Sequence, residues 1–304
     1  MPRICKILIS VCLFAMIITA FSVQGAGTET TKKQASLTIG LIPEQNIFKQ
    51  LERYEPLANY LAKKIGVKIE LTMLTRYGNI IDNFVSAGMD GAFFGSFSYT
   101  LAHAKLGLEP IARPEDNNGS STYYGLIFVR KDSGVKSISD MQNKSFVFVD
   151  KATTAGYLLP RAYFKEHGIE NYKTFLKETY FAGTHQDAVY DVLNRKADIG
   201  AAKNTMFYRL AAKDKRITDE LVILERSPRV PENGLAVNKS LGDSIKQQLK
   251  ATLISMHTDP EGLQVLKKFG ARRFIETSND DYSAVYRYVH EIGLNLFTYD
   301  YMNE

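Results

Sequence analysis

The sequence predicts an α/β chain of two lobes, each a mostly parallel sheet flanked by helices, with two hinge crossovers between them. Three observations carry this. Short apolar alternations take turns with stretches of helical period that stop at glycine. A polar break over residues 116–122 separates two such units. The chain then closes in three helices with apolar faces, which are expected to return to the first unit.

The elements follow in order. Leu37, Ile39 and Leu41 alternate as a strand, and Leu57, Tyr60, Leu61 and Ile65 recur at helical spacing up to Gly66. Val67, Ile69, Leu71 and Met73 form a second strand, and Ile80, Ile81, Phe84 and Val85 a helix face stopped by Gly88. A buried strand over 91–94 leads through Gly95 and Ser96 into a helix ending at Gly107. After the break, a long strand is expected over 123–130, a strand over 145–149, and a helix over 154–166 that ends before Gly168. A strand over 177–181, a helix over 185–194 and a strand over 199–202 complete the second unit. Ile245, Leu249 and Leu253, then Val285, Val289 and Ile292, mark the closing helices. The expected lobes are 35–126 with 234–304, and 127–233. Ligands of open α/β sheets bind at the carboxyl ends of strands, which here face the cleft between lobes.

Composition narrows function. The 304 residues are 45% hydrophobic and 23% charged, which excludes a disordered, collagen-like or coiled-coil chain. The basic residues are scattered and the net charge is only +5, so no nucleic-acid partner is expected. Arg3 and Lys6, an apolar run over 7–21 and the small residues of 22–28 read as a cleaved signal peptide ending near Ala26. Cleavage there removes Cys5 and Cys12, the two cysteines of the chain, and with them thiol catalysis and cysteine-ligated metals. No metal-binding histidine grouping, Gly-x-Ser-x-Gly elbow or Walker loop occurs, so neither a cofactor nor an enzyme is expected.

The most informative segment is Val147-Phe-Val-Asp-Lys-Ala-Thr-Thr-Ala-Gly-Tyr157. A strand runs into a hydroxyl-bearing loop that opens a helix, where free N–H groups and the positive end of the helix dipole suit an oxyanion. Thr153 and Thr154 add hydroxyls, though threonine there is also an ordinary helix cap. His185 begins the next helix, where a neutral imidazole can donate to an anion. Ser96 has no evident base beside it and reads as a cap rather than a nucleophile.

These segments resemble the periplasmic substrate-binding proteins of phosphate, phosphite and phosphonate ABC transporters. The carriers are Gly40-Leu-Ile-Pro-Glu44, Arg76-Tyr77, Phe94-Gly-Ser-Phe-Ser-Tyr99, Val129-Arg-Lys-Asp-Ser133, Thr153-Thr-Ala-Gly-Tyr157, Thr184-His185, Lys196-Ala-Asp198 and Ser227-Pro-Arg-Val-Pro231. The resemblance implies a type 2 periplasmic binding fold that closes on its ligand, an ABC permease partner in the inner membrane, a periplasmic location and a monomer. A ligand-sensing subunit for a membrane sensor kinase is the alternative, and a phosphoesterase-type hydrolase a more distant one. It also implies roles. The oxyanion loop corresponds to Thr153, Thr154 and Ala155, where Ala155 replaces a common serine. The anion-contacting histidine corresponds to His185, and the cleft tyrosines to Tyr77 and Tyr124. Ser96, Lys203 and Asn204 are read on the ligand side. The carboxylates that hold an aminoalkyl ammonium in some relatives correspond to Met206 and Asn233, with Glu232 one residue away. Phosphate, phosphite or an alkylphosphonate with an uncharged alkyl group is therefore the expected ligand, in preference to an aminoalkylphosphonate.

The leader generates the first prediction. Intact-mass measurement of the exported protein should give an N-terminus between Gly25 and Thr28 and no thiol; a mass retaining residues 1–20, or an attached lipid, contradicts it.

Overall fold

The computed structural model describes residues 36–74 and 76–303, so the expected leader lies outside the described residues. The first half begins β1 (Ser36–Leu41), α1 (Ile47–Ile65), β2 (Lys68–Met73), α2 (Asn79–Ser86), β3 (Gly91–Phe94) and α3 (Ser96–Leu106). It continues β4 (Glu109–Glu115), β5 (Thr122–Tyr123), β6 (Gly125–Arg130) and β7 (Ser145–Phe148), then α4 (Leu159–Glu166) and a short α5 (Tyr172–Phe175). Then come β8 (Glu178–Phe181), α6 (His185–Leu193), β9 (Ile199–Lys203), α7 (Asn204–Ala211), α8 (Arg216–Glu220), β10 (Leu221–Arg226) and β11 (Val230–Pro231). The chain ends β12 (Gly234–Val237), α9 (Asp243–Ser255), α10 (Pro260–Phe269), β13 (Arg273–Glu276) and α11 (Ser283–Glu291).

Two sheets form the two lobes: one ordered β13-β4-β12-β3-β1-β2, the other β10-β6-β9-β7-β8. β1 lies parallel between β2 and β3, and β7 parallel between β8 and β9, as right-handed βαβ units require. The expectation of mostly parallel sheets holds only in part, because β12 and β6 run antiparallel to their neighbours. Each is the strand the chain enters directly after passing between lobes, so it arrives from the opposite end of the sheet. The passages themselves pair as a two-stranded ribbon, with Val230 opposite Tyr123 and Pro231 opposite Thr122. The long strand expected over 123–130 is therefore broken at Tyr124.

Period-2 alternation sorts each strand between two layers. Phe93 packs under α1, α9 and α10 with Leu57, Leu249 and Phe269, whereas Phe94 faces α2 and α3. Likewise Phe146 and Phe148 face outward onto Phe164, and Val147 and Val149 face the core that runs between the lobes. Helix boundaries have local causes: the Asn46 side chain accepts from the Phe48 and Lys49 N–H groups to start α1, and Gly66 at φ 70° ends it. α9 and α10 return to α1 as expected, but α11 packs on both α3 and α4. The segment after α11 also ties both lobes: Tyr301 donates to Asp82 (3.0 Å), while Tyr299 donates to the Lys151 carbonyl (3.0 Å) and Asn303 to Asp150 (3.0 Å).

Between β7 and α4, residues Thr154–Leu158 make a wide helical turn in which the Leu158 N–H reaches back to the Thr153 carbonyl. Gly156 permits it, since a Cβ there would lie 2.4 Å from the Val149 side chain. Val149 is fully buried and cannot retreat. Gly156→Ala should therefore destabilise the fold by about 1–3 kcal/mol through overpacking, read by urea unfolding. Wild-type stability would show that the turn is free to move.

Candidate functional site

The carboxyl ends of β1, β3, β7, β8 and β9 all deliver side chains to one place between the lobes. Ile42 and Glu44 follow β1, Gly95 and Ser98 follow β3, Thr153 and Thr154 follow β7, His185 follows β8, and Lys203 ends β9. Tyr77, Tyr123 and Asn233 help complete a small cavity with about 10 Å³ of free volume, about the space of one water. Two of its polar atoms, Tyr77 Oη and Asn233 Nδ2, are buried with no hydrogen-bond partner. Buried donors are otherwise almost always satisfied, so these two can donate to the acceptors of a small ligand.

His185 faces them. The Lys203 backbone N–H donates to His185 Nδ1 (3.2 Å), which leaves the proton on Nε2 and makes that edge a donor. Burial, and then the Lys203 charge, push its pKa down to about 3, although Glu44 pulls the other way. The imidazole is neutral at any physiological pH. Two helix starts meet here as well, because the Phe97 N–H in the first turn of α3 donates to Thr154 Oγ1 (2.8 Å) across the lobes. The Tyr123 phenol shares hydrogen bonds with the Thr154 and Ser96 hydroxyls.

The strongest charges sit at one end of the cavity. Lys203 Nζ donates to Glu44 Oε1 (3.1 Å), to Asn233 Oδ1 (3.0 Å) and to Glu232 Oε1, and lies 4.4 Å from the centre of the Tyr123 ring. Burial alone would raise the Glu44 pKa, but Lys203, Arg53 and Arg209 together hold it down at about 2. Burial likewise opposes the charge on Lys203, and Glu232 and Glu44 outweigh it, raising its pKa. Gln50 fixes the segment carrying Glu44, accepting from the Glu44 N–H (3.1 Å) and donating to the Ile42 carbonyl. Beyond Lys203 lies a second polar pocket of about 60 Å³, walled by Arg53, Arg209, Asp116 and Met206.

Of the residues singled out in the sequence, Tyr77, Thr153, Thr154, His185, Lys203 and Asn233 share the cavity, and the others do not. Thr153 spends its hydroxyl on the Asp150 carbonyl (2.6 Å). Ser96 donates to the Pro231 carbonyl of the ribbon (2.5 Å), and Ser98 lines the cavity in its place. Tyr124, between β5 and β6, lies under the Arg229 guanidinium, and Tyr123 lines the cavity instead. Asn204 is held by the Tyr124 backbone, whose N–H donates to its side chain (3.0 Å). Ala155 turns its methyl toward Gly125, and Met206 packs in the core. Missed by sequence reasoning were Ser98 and Tyr123 in the cavity, Glu44 as a cluster member, and Asp150. The Asp150 carboxylate accepts from Ala152 N–H (2.8 Å), from Asn303 and from Gly78, and burial raises its pKa to about 6. The signals were Glu44 within the Gly-Leu-Ile-Pro-Glu run and an acid at a strand end.

A larger groove of about 850 Å³ runs between α4, residues 225–228 and α11. It mixes Lys165, Glu166, Glu225, Arg226, Arg287 and Glu291 and holds none of the convergent donors. Among the described residues there is no cluster fit to hold a metal ion, and no helix long and apolar enough to cross a membrane.

Two lobes on separate sheets, with a closed, donor-lined cavity at the strand ends, define the class as a periplasmic-type solute-binding protein. Residues 39–282 match the family of ABC transporter, phosphonate, periplasmic substrate-binding proteins, and the chain belongs to it. It is 27% identical over 257 residues to the phosphate-import protein PhnD of Mycolicibacterium smegmatis, covering 81% of this chain and 80% of that one. To the phosphonates-binding periplasmic protein of Escherichia coli it is 24% identical, covering 90% and 81%. PhnD1 of Prochlorococcus marinus, solved in complex with methylphosphonate, superposes with a TM-score of 0.74 at 21% identity, covering 85% and 98%. Such proteins are substrate-binding components of transporters and not enzymes.

The histidine geometry is testable by pH. With a folded pKa near 3 against 6.5 for a free imidazole, His185 contributes stability that is complete above pH 6.5 and lost as pH falls toward 3. Asp150, raised to about 6, contributes in the opposite sense, present below 3.8 and lost as pH rises through 6. Because the two oppose each other between about pH 4 and 6, overall stability is a poor readout there. Nitrogen NMR should instead show His185 as the neutral Nε2–H tautomer at pH 5. Titration near pH 6.5, or a proton on Nδ1, contradicts the arrangement.

Proposed function

We propose that this protein captures a compact phosphorus oxyanion (phosphate, phosphite or a small alkylphosphonate) between its lobes and delivers it to an ABC permease. The carrying observation is the closed cavity in which Tyr77 Oη and Asn233 Nδ2 lack partners beside a neutral His185 held as an Nε2–H donor. An oxyanion satisfies all three, and preorganised donors replace the water it gives up. Binding needs no reaction. The relatives' names support the ligand class, and the tight cavity supports a small ligand.

In this reading the β5–β11 ribbon is the hinge, the lobes are 35–126 with 234–304 and 127–233, and a monomer works after its leader is removed in the periplasm. An ammonium-bearing ligand is disfavoured, since Glu44 and Glu232 already hold a cation.

A melting-temperature screen tests the class: an anion at 100 times its Kd should add about 2.7 kcal/mol of stability. Shifts with phosphate, phosphite or methylphosphonate are expected. No shift with any of these or with sulfate, beside a shift with an unrelated solute, overturns the reading. His185→Ala and Thr154→Ala should each weaken binding of the best anion by about 1.5–3 kcal/mol in calorimetry, the usual loss for a hydrogen bond to a charged group. Wild-type affinity in both leaves the threonine and histidine as structural caps.

A further inference from the structure

We infer that Lys203 is the specificity-determining residue of this cleft: its side chain is a resident ammonium group that saturates Glu44 and Glu232 and turns the Asn233 amide toward the ligand. The inference rests on the oxyanion reading above and deepens it.

Three observations lead there. Lys203 is 3% exposed and its Nζ donates to both carboxylates and to Asn233 Oδ1, so no acid in the cavity is left for a cation on the ligand. Because Oδ1 faces the ammonium, Asn233 Nδ2 is forced to the other side, where it is buried and unpartnered in the same cavity as Tyr77 Oη. Without the ammonium the amide is free to turn, and its oxygen would repel an anion. The third observation separates the two halves of the site. Residue 203 holds His185 through its backbone N–H, and Thr154 is held from Phe97, so neither of these two groups is positioned by a hydrogen bond to the lysine side chain.

The chemical consequence is a change of ligand class on truncation. Lys203→Ala leaves two buried carboxylates and a freed amide facing the space the side chain filled, beside Tyr77, Thr154 and His185, whose side chains do not hydrogen-bond to the lysine side chain. A compound that brings a phosphonate and its own ammonium on a short linker supplies both charges at once. Arg53 and Arg209 still stand near Glu44, which limits the charge imbalance in the variant. A buried carboxylate pair without a cation is nonetheless costly, so a second variant, Lys203→Ala with Glu232→Gln, removes one of the two charges.

The experiment is calorimetry with methylphosphonate and 2-aminoethylphosphonate on wild type, Lys203→Ala and the double variant, each checked for folding by circular dichroism. Wild type should favour methylphosphonate, and the Kd ratio should move toward the amino compound by at least about tenfold in either folded variant. Folded variants that keep the wild-type ratio overturn the inference. A second readout makes its failure distinguishable from failure of the oxyanion reading. Ethylammonium chloride, against sodium chloride at equal ionic strength, should raise the melting temperature of a variant more than that of wild type. If wild type binds no phosphorus anion, the oxyanion reading falls, and this arm alone decides: a larger rise in the variant supports the resident-ammonium inference, and equal rises overturn it.

Discussion

One buried ammonium group organises the cleft. Lys203 ends a central strand of one lobe, Glu44 follows a central strand of the other, and Glu232 and Asn233 lie just after the ribbon that links them. Their cluster joins all three regions through charge interactions. A buried pair of this kind is weak evidence for net stability, but removing one partner costs about 3–5 kcal/mol because a charge is left stranded. Its value here is in geometry. The same residue fixes the His185 tautomer with its main chain and the Asn233 orientation with its side chain, so two donors are set before any ligand arrives.

That arrangement explains how an anion can be held with no cation touching it. Lys203 and Glu44 line the cavity but pair with each other, and the remaining polar side chains that face it are neutral: phenols, an amide, an imidazole and hydroxyls. The turn at Thr154 and the first turns of α3 and α6 add partial positive charge along their axes. In a closed, poorly solvated site such fixed dipoles act more strongly than they would in water. The Thr154–Phe97 hydrogen bond crosses between lobes, so the contact between lobes helps to position the turn at Thr154.

Much of this was legible in the sequence, for reasons that local physics supplies. β1, β2 and β3 show period-2 or wholly apolar runs, and their helices end at Gly66, Gly88 and Gly107, where positive φ favours glycine. β4 was not legible because Pro110 and Pro114 interrupt it, and a proline inside a strand argues against the assignment until its unpaired side is seen. β12 and β13 are four residues each, too short for a period to declare itself. At the site, the hydroxyl loop and the histidine were readable because a strand–turn–helix junction has one chemistry. The choice between Tyr123 and Tyr124 was not, since a strand sends neighbours to opposite faces and the break at Tyr124 resets which face is inward. Pairings such as Lys203 with Glu44, 159 residues apart in the chain, are set by tertiary structure alone.

The central claim is that neutral, pre-oriented donors in this one cavity hold a phosphorus oxyanion. A crystal structure of the mature protein with methylphosphonate or phosphite tests it most directly. The account predicts the phosphorus oxygens within hydrogen-bond distance of His185 Nε2, Tyr77 Oη and Asn233 Nδ2, with Lys203 still bound to Glu44 and Glu232. A ligand seated elsewhere, or Lys203 turned away from its carboxylates to contact the anion, would contradict it.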